Sequence, residues 1–201
     1  MKKIVSLIVC AAMVFAVAAC SSSPEVTKSG NSKGNDPAVT EESKNAYSAD
    51  DTKTGEKVSF RTTDRAGQSY DDSIFAEHEL TLINFWEPWC GPCVGEIPDL
   101  QQLYSDYSGK GLLILGVYSE TGMESDVDEI LSSSNVTYPV LKYSSDFDKY
   151  DSGYVPTTIL VDKNGNIIDT GYSYDGLDST LIVGSKSYSE WESLIKKYLG
   201  N

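Results

Sequence analysis

Two short runs, LTLINFW (Leu80 to Trp86) and GLLILGVY (Gly111 to Tyr118), constrain the fold of this chain more than any other feature. Each is apolar almost without a break and is bounded by turn residues, which reads as a strand buried inside a sheet. Between them Ile97, Leu100, Leu103, Tyr104 and Tyr107 form a stripe at helical spacing. MESDVDEILSSS is expected to be a polar helix with Val127, Ile130 and Leu131 inward. TTILVD and NIIDTGY flank Lys163-Asn164-Gly165, a hairpin signal built on Asn-Gly. Near the end Ser187-x-x-Glu190 has the capping-box pattern ahead of Trp191, Leu194, Ile195, Tyr198 and Leu199. Strand, helix, strand, helix, hairpin and helix in that order predict an α/β layer fold, with parallel strands first and an antiparallel hairpin last.

The roughly 144 residues from Val58 onward suit one globular domain. Before them, residues 20–57 are rich in Ser, Gly, Asn, Asp, Lys and Thr and nearly free of large apolar side chains. Such a composition buries too little surface to offset its ordering entropy, so the segment reads as a flexible linker. Residues 1–19 begin with Lys2 and Lys3 and continue as an uncharged apolar run too short to span a bilayer. That pattern is a secretory signal. Val17-Ala18-Ala19-Cys20 resembles the lipobox of bacterial lipoproteins, which implies cleavage before Cys20 and a lipid on its sulfur. The other reading is an ordinary signal peptide cut near Ala19.

Charge excludes some partners. The chain carries a formal −14, and −16 once Lys2 and Lys3 have left. So acidic a protein has no electrostatic footprint for nucleic acid and is repelled by anionic lipid except through an anchor.

With Cys10 in the signal and Cys20 as the anchor, Cys90 and Cys93 are the remaining thiols. They stand where the Leu80–Trp86 strand ends and a helix begins. At a helix start, unpaired N–H groups and the helix dipole favour thiolate over thiol at Cys90. Cys93, one turn further in, is expected to be more buried. Cys90 then attacks a partner's disulfide and Cys93 resolves the mixed disulfide. Pro92 fits the first helical turn, where its missing N–H costs nothing. Zinc needs about four ligands, and the chain offers one cysteine pair and a single histidine, His78, expected to face solvent. Haem attachment needs a histidine where Val94 stands.

Trp89-Cys90-Gly91-Pro92-Cys93 after an apolar strand, Pro98 beyond it, and Val155-Pro156-Thr157 before another strand together resemble the thioredoxin superfamily. The resemblance implies a central mixed sheet flanked by helices. It also implies a cis Val155–Pro156 bond facing the dithiol, and substrate contacts at Trp89, Gly91, Pro92, Val155 and Pro156. The closer likeness is to the extracytoplasmic TlpA/ResA-like branch, with an anchored N-terminus, a β-hairpin extension in VSFRTTDRAGQSYDD, and an acidic residue three places after the second cysteine. That residue is Glu96, which would move protons or shift thiol pKa values; the other reading is a solvated helix carboxylate. Asn84 departs from the buried aspartate of cytoplasmic thioredoxins, and Ser173 to Ser187 is an added segment that either meets a partner or caps the sheet edge.

Function follows from the same likeness: a lipid-anchored thiol–disulfide oxidoreductase, monomeric, with no cofactor beyond its redox-active disulfide. It would reduce disulfides or sulfenic acids in partner proteins, such as a methionine sulfoxide reductase or apocytochrome c, with electrons from a membrane thiol carrier. Two rivals remain open: a disulfide donor for secreted proteins, and a lipoprotein binding module with an inert disulfide.

Overall fold

The computed structural model describes residues 52–199. The signal at 1–19, Cys20 and the linker as far as residue 51 lie outside the described residues. The main sheet contains β1 (Thr52–Lys57), β4 (Leu80–Phe85), β5 (Leu112–Tyr118), β6 (Val140–Lys142), β7 (Thr157–Asp162), β8 (Asn166–Ile168) and β9 (Ile182–Val183). Its order is β1-β8-β7-β4-β5-β6, with β9 also paired to β7. The β4–β5 and β5–β6 pairs are parallel; β7 runs antiparallel to β4, β8 and β9. The sheet is therefore mixed, as the resemblance implies.

The two apolar runs are buried on both sides, which explains their lack of alternation. Leu80 and Leu82 of β4 and Leu112 and Ile114 of β5 join one core cluster, while Ile83, Phe85, Leu113 and Leu115 join a second. The first cluster is completed by α1 (Gly91–Tyr107), through Cys93, Ile97, Leu100 and Leu103, with Val127 of α2 (Glu124–Ser133) and Trp191 and Ile195 of α3 (Tyr188–Leu199). Tyr104, Ile130 and Leu131 are only partly buried against it. The second cluster is closed by Val58, Phe60, Phe75, Phe147 and Tyr150, the last three on short 3-10 turns.

The expected N-terminal hairpin is present. β2 (Arg61–Thr63) pairs antiparallel with β3 (Ser69–Asp71) as a separate two-stranded sheet. Thr52 to Lys57 read as linker by composition but form β1, antiparallel to β8. An edge strand is held through its main chain and needs no apolar signature, so composition does not reveal it. The Asn-Gly turn behaves as its sequence requires: Gly165 has φ +83°, and its N–H reaches the Asp162 carbonyl at 2.9 Å.

The strand on the far side of β7 from β4 is broken between β8 and β9. Val161 faces Ile167, so an uninterrupted strand would bring Gly171 opposite Thr157; Val183 stands there instead, twelve residues further along. The added segment leaves the sheet after β8 and returns as β9, where Gly184 N–H donates to the Pro156 carbonyl at 2.9 Å. Its return closes the sheet edge beside Pro156.

Candidate functional site

The site lies where β4 gives way to α1. Cys90 is the N-cap of that helix, in extended conformation (φ −88°, ψ 101°). Its Sγ accepts the Cys93 N–H at 3.2 Å, one of the helix-start donors left without a partner in the first turn. Gly91 and Pro92 are the first two helical residues, and both are exposed. Cys90 and Cys93 form a disulfide with Cα atoms 5.3 Å apart. Cys90 is 5% exposed and Cys93 1%, whereas the neighbouring Trp89 is 61% exposed. Pro98 lies within α1 with its ring on the solvent side.

The Val155–Pro156 bond is cis. Tyr154 and Pro156 spend their carbonyls inside the chain, on the Thr157 hydroxyl (2.8 Å) and the Gly184 N–H (2.9 Å). The Val155 carbonyl between them instead lies 3.6 Å from Cys90 Sγ. Of the five residues expected to contact substrate, Trp89, Gly91 and Pro92 flank the cysteines in sequence and are exposed, and Val155 meets Cys90 through its carbonyl. Pro156 is buried and Val155 half-buried.

Glu96 is not a solvated helix carboxylate. It is 2% exposed. Oε1 accepts the Lys186 backbone N–H at 2.7 Å and Trp191 Nε1–H at 2.8 Å, and Oε2 accepts Asn84 Nδ2–H at 3.2 Å. Asn84 also donates to the Thr158 hydroxyl at 3.0 Å. Burial raises Glu96 from 4.5 to about 7, against the pull of those three donors and the Lys186 charge. Tyr138, buried near it, is raised by burial and by the Glu96 charge. A carboxyl that exchanges its proton near neutrality, three residues along the helix from Cys93, has the property needed of a proton acceptor.

Sequence reasoning missed Glu87. It is 8% exposed and its carboxylate takes the Ser119 N–H (2.9 Å), the Ser119 hydroxyl (2.5 Å) and the Glu120 N–H (3.0 Å). Its own carbonyl accepts the Cys90 N–H at 3.0 Å. Glu87 therefore ties the loop carrying Cys90 to the end of β5. Its position between two tryptophans in an apolar run was the available signal. His78, expected in solvent, is half-buried at the end of the 72–77 turn. Among the described residues no group of three or more His, Cys, Asp and Glu is placed to hold a metal ion, and no helix is long and apolar enough to cross a membrane.

Comparison with known proteins places these features in a family. The AhpC/TSA family pattern matches residues 54–170. A protein named thiol-disulfide oxidoreductase ResA from Oceanobacillus iheyensis is 40% identical over 93 residues, 45% of this chain and 48% of that protein. Its namesake from Geobacillus thermodenitrificans is 34% identical over 100 residues, 45% of this chain and 57% of that protein. The matched region thus spans about half the length of these relatives. Among solved structures, a putative thiol:disulfide interchange protein DsbE from Chlorobium tepidum superposes with a TM-score of 0.58 at 22% identity, over 74% of this chain and 96% of that one. StoA from Bacillus subtilis gives 0.53 at 18% identity, over 70% and 98%. At such identities the structures share the fold.

Proposed function

This chain belongs to the AhpC/TSA family of the thioredoxin superfamily, and from that membership we propose that it is a thiol–disulfide oxidoreductase acting outside the cytoplasmic membrane. The observation that carries the reading is the Cys90 sulfur at the first turn of α1, holding the Cys93 N–H and facing the Val155 carbonyl. In the reduced protein, the Cys90 thiolate attacks one sulfur of a partner's disulfide. The partner's S–S bond breaks, its second sulfur leaves as thiolate and takes a proton, and a mixed disulfide joins the two proteins. Cys93 loses its proton and attacks Cys90, forming the intramolecular disulfide and releasing the partner's first sulfur. Two electrons have then passed to the partner. Glu96 is the group buried in α1 that accepts the Cys93 proton. A partner sulfenic acid enters the same cycle at the first attack, with water as the leaving group.

In this reading the partner chain runs across Trp89, Gly91 and Pro92 and pairs with the backbone at Val155 and Pro156. Cys20 carries the lipid that holds the protein to the cell membrane. A membrane thiol carrier returns the electrons. Suitable clients are a methionine sulfoxide reductase in need of recycling or apocytochrome c thiols awaiting haem.

The test is the equilibrium reduction potential of the Cys90–Cys93 pair in graded dithiothreitol or glutathione buffers. A value near or below about −250 mV, towards thioredoxin's ~−270 mV, is expected of a reductant. A value near DsbA's ~−120 mV would make the protein a disulfide donor.

A further inference from the structure

A cavity of about 350 Å³ opens beside the dithiol, walled by Glu87, Tyr143, Asp148, Asp151, Tyr154 and Val155 among others. We propose that it is a subsite for a lysine or arginine side chain of the partner polypeptide, next to the partner's reacting cysteine. The proposal rests on the thiol–disulfide reading above and names a chemistry of partner that the reading leaves open.

Position comes first. Val155 belongs both to the cavity wall and to the rim of the dithiol, its carbonyl 3.6 Å from Cys90 Sγ. The wall also includes Glu87, whose carbonyl holds the Cys90 N–H. A chain whose sulfur meets Cys90 while its backbone passes Val155 has this cavity within one side chain's reach. Successive side chains of an extended chain point to opposite faces, so a neighbour of the cysteine is presented to it.

Chemistry selects the occupant. The wall combines the apolar side chains of Phe85, Trp86, Val117 and Phe147 with phenol rings and the carboxylates of Asp148 and Asp151, and no lysine or arginine lines it. Asp148 is fixed by the Tyr143 hydroxyl, which donates to Oδ1 at 2.9 Å, and Asp151 by the Gly153 N–H at 2.8 Å. Glu87 has both oxygens engaged by Ser119 and Glu120, so it adds charge to the wall rather than contacts. An apolar side chain would pack on the apolar part of the wall but leave the exposed carboxylates of Asp148 and Asp151 without a partner, whereas a long cationic side chain lays its alkyl stem on that wall and brings its charge to them. A cation is attracted by the carboxylates and by the ring faces alike. The chain supplies a small instance of the same pairing, with the Lys149 ammonium 5.1 Å from the Tyr150 ring centroid.

The added segment gains a role. Tyr154, Tyr174 and Trp89 are the exposed large hydrophobic side chains among the described residues, and Tyr174 belongs to the insertion. Its ring meets that of Tyr154 edge-on, with centroids 5.4 Å apart. The insertion thereby buttresses the aromatic side of the cavity mouth.

The test uses the full chain, reduced with dithiothreitol and freed of it. Probes are three peptides with one cysteine in mixed disulfide with nitrothiobenzoate, flanked by lysine, norleucine or glutamate. Attack by Cys90 on the peptide sulfur breaks the peptide–nitrothiobenzoate bond and releases the coloured thiolate, one per bond formed with the protein. Rates are divided by those of dithiothreitol with the same peptide, which removes the peptide's intrinsic reactivity. We expect the lysine peptide to react roughly 5–10-fold faster than the norleucine one, a ratio that shrinks in high salt and falls towards one in Asp148→Asn. A ratio near one in the wild type, or one unchanged in Asp148→Asn, overturns the subsite while attack on free dithiobis(nitrobenzoate) leaves the redox reading standing. Failure to attack any of these disulfides overturns both.

Discussion

Replacing Glu96 with glutamine should abolish a specific pH dependence of folding. In the oxidised protein the folded carboxyl titrates near 7, against 4.5 when unshielded. Below 4.5 both the folded and unfolded chains hold the proton, and the group is neutral in each. Between 4.5 and about 7 the unfolded chain releases it while the folded chain keeps it, so rising pH favours unfolding. Above 7 both are ionised and the loss is complete. The slope is about 1.4 kcal/mol per pH unit, or about 3 kcal/mol across the window. Lys186 and Tyr138 are the other titrating groups that act on or respond to this carboxyl. Glutamine stays neutral throughout. Its oxygen can keep the Lys186 N–H and Trp191 Nε1–H bonds, both made to Oε1 in the native protein. Its amide then faces Asn84, whose own amide must turn over to offer oxygen to it and to the Thr158 hydroxyl. Urea unfolding of both proteins, disulfide intact, at pH 5, 6, 7 and 8 tests this. The variant should match the wild type within about 1 kcal/mol at pH 5 and exceed it by about 2–3 kcal/mol at pH 8. A difference that stays constant from pH 5 to pH 8 would refute the idea that Glu96 titrates near neutrality.

Two further outcomes follow from the site. Cys93→Ser should accumulate covalent adducts with partner proteins through Cys90, whereas Cys90→Ser should accumulate almost none; equal adduct yield on non-reducing gels sinks the assignment of attacking and resolving sulfurs. Glu87→Ala strands the Ser119 and Glu120 N–H groups, and should lower stability by about 2–4 kcal/mol in chemical denaturation; a loss under 1 kcal/mol would mean that the loop finds other acceptors.

The architecture was legible wherever burial leaves a pattern in composition. β4 and β5 are apolar on both faces and therefore visible, Asn164-Gly165 marks its hairpin, and Ser187 and Glu190 mark the start of α3. Even there the detail differs: the Ser187 hydroxyl and N–H both donate to the Glu190 carboxylate, at 2.6 and 2.8 Å, so the cap is one-sided. β1 was invisible because edge pairing uses the main chain. At the site, the cysteines stood out by spacing, while the cis bond at Val155–Pro156 was expected only from the family resemblance. The environment of Glu96 did not, because its donors Lys186 and Trp191 lie 90 and 95 residues away in sequence, and no local pattern encodes such a meeting. Glu87 was hidden for a similar reason, its partners being 32 and 33 residues distant.

That distance sets a schedule. A chain synthesised from its N-terminus presents Cys90, Cys93 and Glu96 long before residues 186 and 191 exist. During that interval α1 can coil, but the carboxyl has water for company and titrates as any glutamate does. Only when α3 closes over the sheet does the group become dry, held by its two late donors and poised near neutrality. The last helix to emerge is thus the one that sets where Glu96 titrates, and a chain stalled short of it would bear the cysteine pair beside an ordinary carboxylate.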